Sequence, residues 1–214
     1  MNGLLKKDLL LLKGNGKTYT FLLLFYAVFS FFSGSTFFTS IVMVFLVILP
    51  LTSFSTDELA RWDKFAAALP GGRRAVVKSK YQLLFLALAG MLILSSVMNL
   101  FIFLFDREDG SFFTMMVTAL VCAGAGLLIN CLFYPFLFKY GVQKGRIFLV
   151  LAGGMIGAVF VISADILIHD TGTLHRMLFA LSPVVIVVAA VVLLAAAVVV
   201  SYLVSRRIYD NKEF

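Results

Sequence analysis

Side chains that could bind or react are rare in this chain, and many of them lie between positions 56 and 80. Carboxylates, a guanidinium group and large aromatic rings alternate within this stretch, on Asp57, Glu58, Arg61, Trp62, Asp63 and Phe65. A short helix with an aromatic face and charges of both signs is typical of a surface that docks a soluble protein. The aromatic rings could also anchor the helix among lipid headgroups while the arginines contact anionic lipid, and this simpler interpretation stays open.

Isolated polar residues within the apolar stretches are the next candidates. Asn99 and Asn130 are expected to form interhelical hydrogen bonds, with contact to a transported cargo as the alternative. Phe21, Phe25 and Phe29 recur at helical spacing and form a stripe that would face lipid or line an apolar path. No paired carboxylates, histidine cluster or Ser/His/Asp set occurs at mid-membrane depth in the sequence. This disfavours a hydrolase, a proton-coupled carrier and a metal site.

The composition indicates that lipid is the main solvent of the chain. Of its 214 residues, 62% are hydrophobic and only 14% are charged, against about 25% charged in ordinary soluble domains. A cytosolic globular enzyme, a disordered chain and a disulfide scaffold do not fit this composition, whose mean hydropathy is +1.04. The net charge of +7 falls between apolar stretches, which fits a membrane topology better than nucleic-acid binding. Cys122 and Cys131 fall on opposite faces of one predicted helix, so they cannot bridge each other.

Six stretches are long and apolar enough to cross the hydrocarbon core as helices, each of which needs about 20 residues. They cover approximately residues 18–35, 37–55, 81–105, 112–138, 147–168 and 183–204. Since an isolated strand in lipid would leave its backbone groups unpaired, the spans are predicted to be helical. The sequence therefore predicts an all-α membrane protein with a single domain over residues 1–214.

The distribution of Lys and Arg predicts that both termini lie in the cytoplasm. With the N-terminus inside, all but two of the 18 Lys and Arg residues fall in inner segments, the exceptions being Arg107 and Arg176. The outer loop that contains Arg107 is net acidic. Inner segments rich in basic residues are the usual pattern of a multi-pass protein of the plasma membrane.

Two further helices are expected on the inner side. Residues 4–13 form an imperfect amphipathic helix that is suited to lying along the membrane surface, before a turn at Gly14-Asn15-Gly16. Thr56 is expected to cap a second helix that runs to Leu69, where Pro70-Gly71-Gly72 would end it. Leu59, Trp62, Phe65, Ala66 and Leu69 would then share its apolar face.

The order of these features resembles that of the membrane subunits of type-2 ABC exporters. The resemblance lies in the N-terminal LLKKDLLLLK, the two-span hairpin, the segment DE-x3-WDKF-x3-LPGGRRAVVKSKY and the six spans. More narrowly, Leu69-Pro70 followed by Arg73 or Arg74, Val77, Lys80 and Tyr81 is similar to the signature of a small bacterial group. That group includes the membrane subunits of the phenol-soluble modulin exporter.

The resemblance implies a permease that pairs with a second permease chain and docks a separate cytoplasmic ABC ATPase subunit. ATP and magnesium would bind to that subunit, in agreement with the lack of a G-x-x-x-x-G-K-[ST] motif here, and this chain would bind no cofactor. Helix 56–69 would be the coupling helix, with the six residues named at the outset as its contact region. Residues 4–13 would be the elbow helix and include Leu5, Lys6, Lys7 and Leu9. The cargo would be an amphipathic or hydrophobic peptide, exported across a bacterial plasma membrane.

A hypothesis from a different class also fits the sequence. The chain could be a membrane scaffold or sensor accessory that transports nothing and holds a cytoplasmic protein through helix 56–69. An ATP-independent channel would need a ring of polar or charged pore residues, which the sequence does not offer. Peptide export, lipid handling and drug resistance stay open as activities, as does the choice between an identical and a related second chain.

Overall fold

The described part of the chain is almost entirely helical. The computed structural model describes residues 2–14, 16–33, 45–62, 65–66, 72–105, 111–169 and 183–212. For residues 146–169, 183 and 184 it describes the helical backbone only. The described residues form six helices: α1 (Asn2–Gly14), α2 (Gly16–Ser33), α3 (Phe45–Leu59), α4 (Gly72–Leu104), α5 (Phe112–His169) and α6 (Pro183–Asp210). The all-α prediction is thus confirmed for this part of the chain.

Within the described part of the chain, three segments are long and apolar enough to cross a membrane: Gly72–Leu104, Phe112–Val142 and Val187–Asp210. They correspond to the third, fourth and last of the predicted spans. Val187–Asp210 is the most apolar of the three, and very little of its most apolar stretch is buried, which is expected of a helix whose solvent is lipid. The complete six-span layout and the side on which each terminus lies stay predictions.

Helix α4 is the centre of the described bundle, because it contacts each of the other five helices. Helix α5 packs against α3, α4 and α6, and its contact with α6 is the most extensive in the fold. Helix α1 ends at Gly14 and α2 begins at Gly16, on either side of Asn15, which lies outside the described residues, so the predicted turn there stays a prediction. Both α1 and α2 then pack on α4.

Aromatic side chains fill the core at one end of the bundle. The rings of Phe54, Tyr81 and Tyr134 are buried and meet edge to face, with centroids 5.2 Å apart for Phe54–Tyr134 and 4.9 Å apart for Tyr81–Tyr134. Phe138 contacts Phe54 at 5.0 Å and Tyr209 at 5.3 Å in the same manner. This geometry is favourable for aromatic pairs. It joins α3, α4, α5 and α6 directly beside the charged residues described below.

The structure corrects the predicted helix 56–69. Thr56 lies inside α3 and does not begin a helix, since its hydroxyl donates to the carbonyls of Thr52 and Ser53 at 3.2 and 3.0 Å. A threonine inside a helix commonly satisfies its hydroxyl in this way, and the apolar run before it continues the helix from Phe45. The helix ends at Leu59 and is followed by a turn in which Arg61 has a φ of 48°. Leu59 and Trp62 therefore do not share one uninterrupted helical face.

Candidate functional site

A buried charge cluster, formed by Asp8, Ser53, Asp57 and Lys80, joins three helices. The ammonium group of Lys80 on α4 donates to Asp57 Oδ2 at 2.5 Å, to Ser53 Oγ at 2.6 Å and to Asp8 Oδ1 at 3.1 Å. The Lys80 side chain is only 3% exposed, and that of Asp8 only 1%. An ammonium group has three donors, and all three are engaged here. Such saturation is what allows a charge to be buried.

Lys7 closes the cluster from the side of α1. Its ammonium group pairs with Asp57 and lies 3.4 Å from Asp8 Oδ1, so that two carboxylates are balanced by two ammonium groups. It also lies 4.4 Å from the centre of the Trp62 ring, within the range of a cation–π contact. Lys7 therefore connects the cluster to the segment that follows α3.

Glu58, the residue after Asp57, reaches in a different direction and contacts α5. Helix α5 is broken at Gly141, whose φ of 74° and ψ of 178° are not helical. The backbone N–H of Val142, where the helix resumes, donates to Glu58 Oε2 at 2.5 Å. A Cβ atom at Gly141 would lie 2.9 Å from Glu58 Oε1. Glycine is therefore favoured by the backbone angle, and a side chain here would also have to displace the Glu58 carboxylate.

The segment beyond Glu58, which we term the tip (described residues 59–62 and 65–66), exposes large side chains. Leu59 is 77% exposed and Phe65 is 73% exposed. Arg61 is exposed as well, and its left-handed backbone ends α3. Trp62 is half-buried and stacks with Phe65, with ring centroids 6.3 Å apart and planes 9° from parallel. The tip thus presents an apolar and cationic surface on a base that is tied to α1, α4 and α5.

The predicted contact residues divide into an exposed group on the tip and a group at its base. Arg61 and Phe65 lie on the exposed tip. Leu59, which was predicted only as part of the apolar face, lies there as well. Asp57 is buried and faces Lys80 and Lys7, which gives it a structural place at the base of the tip. Asp63 lies outside the described residues.

The residues predicted for the elbow lie on α1. Lys6 and Leu9 are exposed, while Leu5 and Lys7 are half-buried. Asp8, which interrupts the apolar face of this helix in the sequence, turns inward to Lys80. The interruption is therefore explained by a partner on another helix.

The residues predicted for a cargo path or for packing lie away from the charge cluster. Phe21, Phe25 and Phe29 are exposed along α2, and the rings of Phe25 and Phe29 lie 5.8 Å apart. Asn99 is buried and donates to the carbonyl of Met115 on α5 at 3.2 Å, which is an interhelical bond. Asn130 donates to the carbonyl of Gly126 in its own helix at 2.9 Å.

Sequence reasoning missed the roles of Asp8, Ser53 and Lys80. One signal was present, since Lys80 immediately precedes a predicted apolar span and a charge at such a place needs a partner. Its partners could not be chosen from the sequence, because Asp8 lies 72 positions away and Ser53 lies 27 positions away. The three residues lie on different helices, so no spacing within one helix relates them.

The apolar helices and the charged end of the bundle define the chain as a membrane protein. It matches the family described as ABC-2 family transporter protein over residues 3–210, which is nearly its whole length. The chain therefore belongs to the ABC-2 transporter family, as a membrane subunit of an ABC transporter. No curated protein and no solved structure is significantly similar to it.

Proposed function

We propose that this chain is the membrane-spanning subunit of an exporter that is driven by a separate cytoplasmic ATPase. ABC-2 permeases generally work with such an ATPase and with a second permease chain. The distribution of Lys and Arg supports placing both termini and the tip on the cytoplasmic side of a bacterial plasma membrane. ATP and magnesium are bound by the partner, and this chain contributes the path and the mechanical connection.

The observation that carries the proposal is the exposed tip on a rigid base. Closure of an ATPase can move the membrane spans only through a rigid segment that contacts both the ATPase and the spans. Leu59, Arg61 and Phe65 are exposed at the tip, while Asp57 ties its base to α1 and α4 and Glu58 ties it to α5. A displacement of the tip is therefore passed on to three helices at once.

Helix α1 supports the same arrangement from another side. Leu9, Leu10 and Leu11 are exposed on it beside the exposed Lys6. Exposed leucines next to a lysine suit a helix that lies in the interface plane of a membrane. This is the position of an elbow helix, and Asp8 and Lys7 fasten it to the base of the tip.

An amphipathic or hydrophobic peptide is the cargo that the surface of α2 favours. Phe21, Phe25 and Phe29 present a continuous apolar stripe to the surroundings, with no charge along it. A peptide with an apolar face makes few hydrogen-bond demands on such a surface. We place the second permease chain and the cargo beside this bundle, so that the stripe faces the path.

The docking claim is tested by purifying the tagged chain from its native membrane in mild detergent. We expect a chain with ATP-hydrolysing activity to copurify with the unaltered protein and to be lost from Phe65→Asp. The matched control is Phe113→Asp, because Phe113 is 75% exposed at the start of α5 and is absent from the tip. Retention of the ATPase by Phe65→Asp would contradict docking at the tip. Copurification of a protein without ATPase activity would instead favour the scaffold hypothesis.

A further inference from the structure

A long apolar groove, which we term the α5–α6 groove, lies between α5 and α6. It has a volume of about 540 Å³, and its walls include Leu128, Leu132 and Phe136 on α5 and Val200 and Val204 on α6. Along α5 it extends from Leu128 to Tyr140, which is roughly 18 Å at the rise of a helix. Half of a bilayer's hydrocarbon core is about 15 Å thick. The groove is therefore as long as one leaflet is deep.

Hydrogen bonds between the two helices hold the floor of the groove in place. Pro135 has no N–H, so the carbonyl of Cys131 four residues earlier loses its helical donor. The hydroxyl of Ser201 on α6 donates to that carbonyl at 2.5 Å. Ser201 is in turn held by the hydroxyl of Tyr81 at 2.6 Å. The groove is thus preformed by side chains that are satisfied within the protein.

One end of the groove opens into a cationic mouth. This second cavity, of about 560 Å³, shares Lys139, Val204 and Ile208 with the groove and is also lined by Arg207, Asn211 and Lys212. Among the described residues, no carboxylate lines either cavity. Asp210, which adjoins the mouth residue Asn211 in the sequence, is engaged elsewhere, since it lies 3.6 Å from Arg74 and 3.9 Å from Arg206.

We propose that the α5–α6 groove and its cationic mouth form a binding site for an anionic phospholipid of the bilayer. The acyl chain lies along the apolar walls, and the headgroup phosphate is bound by Lys139 and Arg207, with Lys212 beside them. Basic pockets between transmembrane helices are suited to anionic headgroups for this reason. The proposal depends on the bundle lying in a bilayer with this end at the interface, and not on the docking of an ATPase.

A phospholipid fits both halves of the site, whereas other occupants fit only one. A soluble anion would neutralise the mouth and leave the groove unfilled. A neutral lipid would fill the groove and leave Lys139 and Arg207 without compensation at the edge of a medium of low dielectric constant. The buried charge cluster contributes no residue to either cavity. Lys139 and Lys212 also line a cavity of about 190 Å³ together with Asp57, Glu58 and Lys80, so the mouth adjoins the base of the tip.

The test measures which lipid contacts the groove. Trp62 is the only tryptophan of the chain, so Trp62→Phe with Phe136→Trp gives a single fluorescent reporter on the groove wall. The protein is reconstituted in mixed vesicles in which either phosphatidylglycerol or phosphatidylcholine is brominated and quenches tryptophan on contact. We expect phosphatidylglycerol to be preferred by about five-fold or more, since each basic group near the surface contributes roughly that factor.

Two matched controls accompany the reporter. Phe85→Trp places the fluorophore in another apolar groove, of about 340 Å³, whose lining includes Lys78 as its one basic residue, and the preference should be much weaker there. Neutralising the mouth with Lys139→Gln, Arg207→Gln and Lys212→Gln should remove the preference at the Phe136→Trp reporter while quenching by phosphatidylcholine persists.

Three results would overturn the proposal. The first is equal quenching by both lipids at the Phe136→Trp reporter. The second is a preference that survives neutralisation of the mouth. The third is loss of the preference when inorganic phosphate replaces chloride at constant ionic strength, which would assign the mouth to soluble anions. Because fluorescence needs no transport or ATP hydrolysis, a negative result here leaves the proposed exporter function standing.

Discussion

Lys80 carries an ammonium group that is held almost out of reach of water by partners from two other helices. Two of these partners are carboxylates, Asp8 and Asp57, and the third is the hydroxyl of Ser53. A buried set of paired charges adds little to the free energy of unfolding. Removing one member is costly, because the remaining charges are then buried without compensation. At the scale of the residue, the cluster therefore holds α1, α3 and α4 together only while all of its charged members are present.

We expect Lys80→Met to lower the free energy of unfolding by about 3–5 kcal/mol, since it leaves two buried carboxylates with only Lys7 nearby. Thermal unfolding in detergent measures the change. The exposed Lys78 on the same helix supplies the control, and Lys78→Met should have little effect. In the double variant Lys80→Met with Asp8→Asn, much of the loss should be recovered, because Asp57 keeps its partner Lys7. Equal effects of Lys78→Met and Lys80→Met would show that the buried charge cluster does not stabilise the contact of the three helices.

Helix α3 contacts α5 at the point where α5 is interrupted. Gly141 breaks α5, and the carboxylate of Glu58 accepts the N–H of Val142, which begins the next helical stretch. The first N–H groups of a helix lack internal partners and attract negative charge. At the scale of the element, the break gives the base of the tip a second attachment that does not involve the charge cluster.

Gly141→Ala should be destabilising by about 1–3 kcal/mol, because a side chain at this φ and ψ is strained and its Cβ would press on Glu58. Gly90→Ala is the matched control, since Gly90 lies inside α4 and a Cβ there meets nothing within 4 Å. Alanine should be neutral or favourable at that position. The two melting temperatures should move in opposite directions or at least differ clearly. A harmless Gly141→Ala would contradict the described break.

The contact of α5 with α6 depends on a complementary pair, a proline that removes a donor and a serine that supplies one. Ser201→Ala should cost roughly 1–3 kcal/mol because it leaves the Cys131 carbonyl unsatisfied. In a Pro135→Ala background the same change should cost much less, since the backbone N–H of residue 135 can then donate to that carbonyl. A double-mutant cycle of unfolding free energies measures this coupling. Additive effects would refute the pairing of Pro135 with Ser201.

Local features of the sequence were sufficient for much of the helical layout. Apolar length predicts the three long membrane-compatible segments, and the boundary between α1 and α2 falls at the Gly-Asn-Gly sequence where a turn was predicted. The prediction that a helix begins at Thr56 was wrong, because Thr56 has the residue type of a helix cap while its hydroxyl is satisfied inside a continuing helix. Capping preferences alone do not distinguish these two situations.

The candidate site was predicted only in part, for a physical reason. The exposed aromatic and basic residues near Arg61 and Phe65 form a local cluster in the sequence and were found. The base of the tip depends on contacts between distant positions, such as Glu58 with Val142, which are 84 residues apart. Charge pairing over such separations is decided by the packing of α1, α3, α4 and α5. Local patterns in a single sequence do not indicate which distant charges will pair.

At the scale of the whole molecule, the arrangement connects a small exposed surface to most of the bundle. Helix α4 contacts every other described helix, and Lys80 at its charged end binds the base of the tip. Under the proposed function, movement imposed on Phe65 and its neighbours would be transmitted to α4 through Asp57 and to α5 through Glu58. We infer that the fold acts as a lever with two attachments, which is what a subunit driven from outside its own chain requires.

The most direct test of this account is the rate of ATP hydrolysis by the complex of permease and ATPase in proteoliposomes. We predict that Phe65→Asp and Trp62→Ala abolish the stimulation of hydrolysis that the unaltered permease gives, while both variants remain folded. Phe113→Asp, with the same chemistry at a comparably exposed position, should retain full stimulation. Full stimulation in Phe65→Asp and Trp62→Ala would contradict the role of the tip as the mechanical connection.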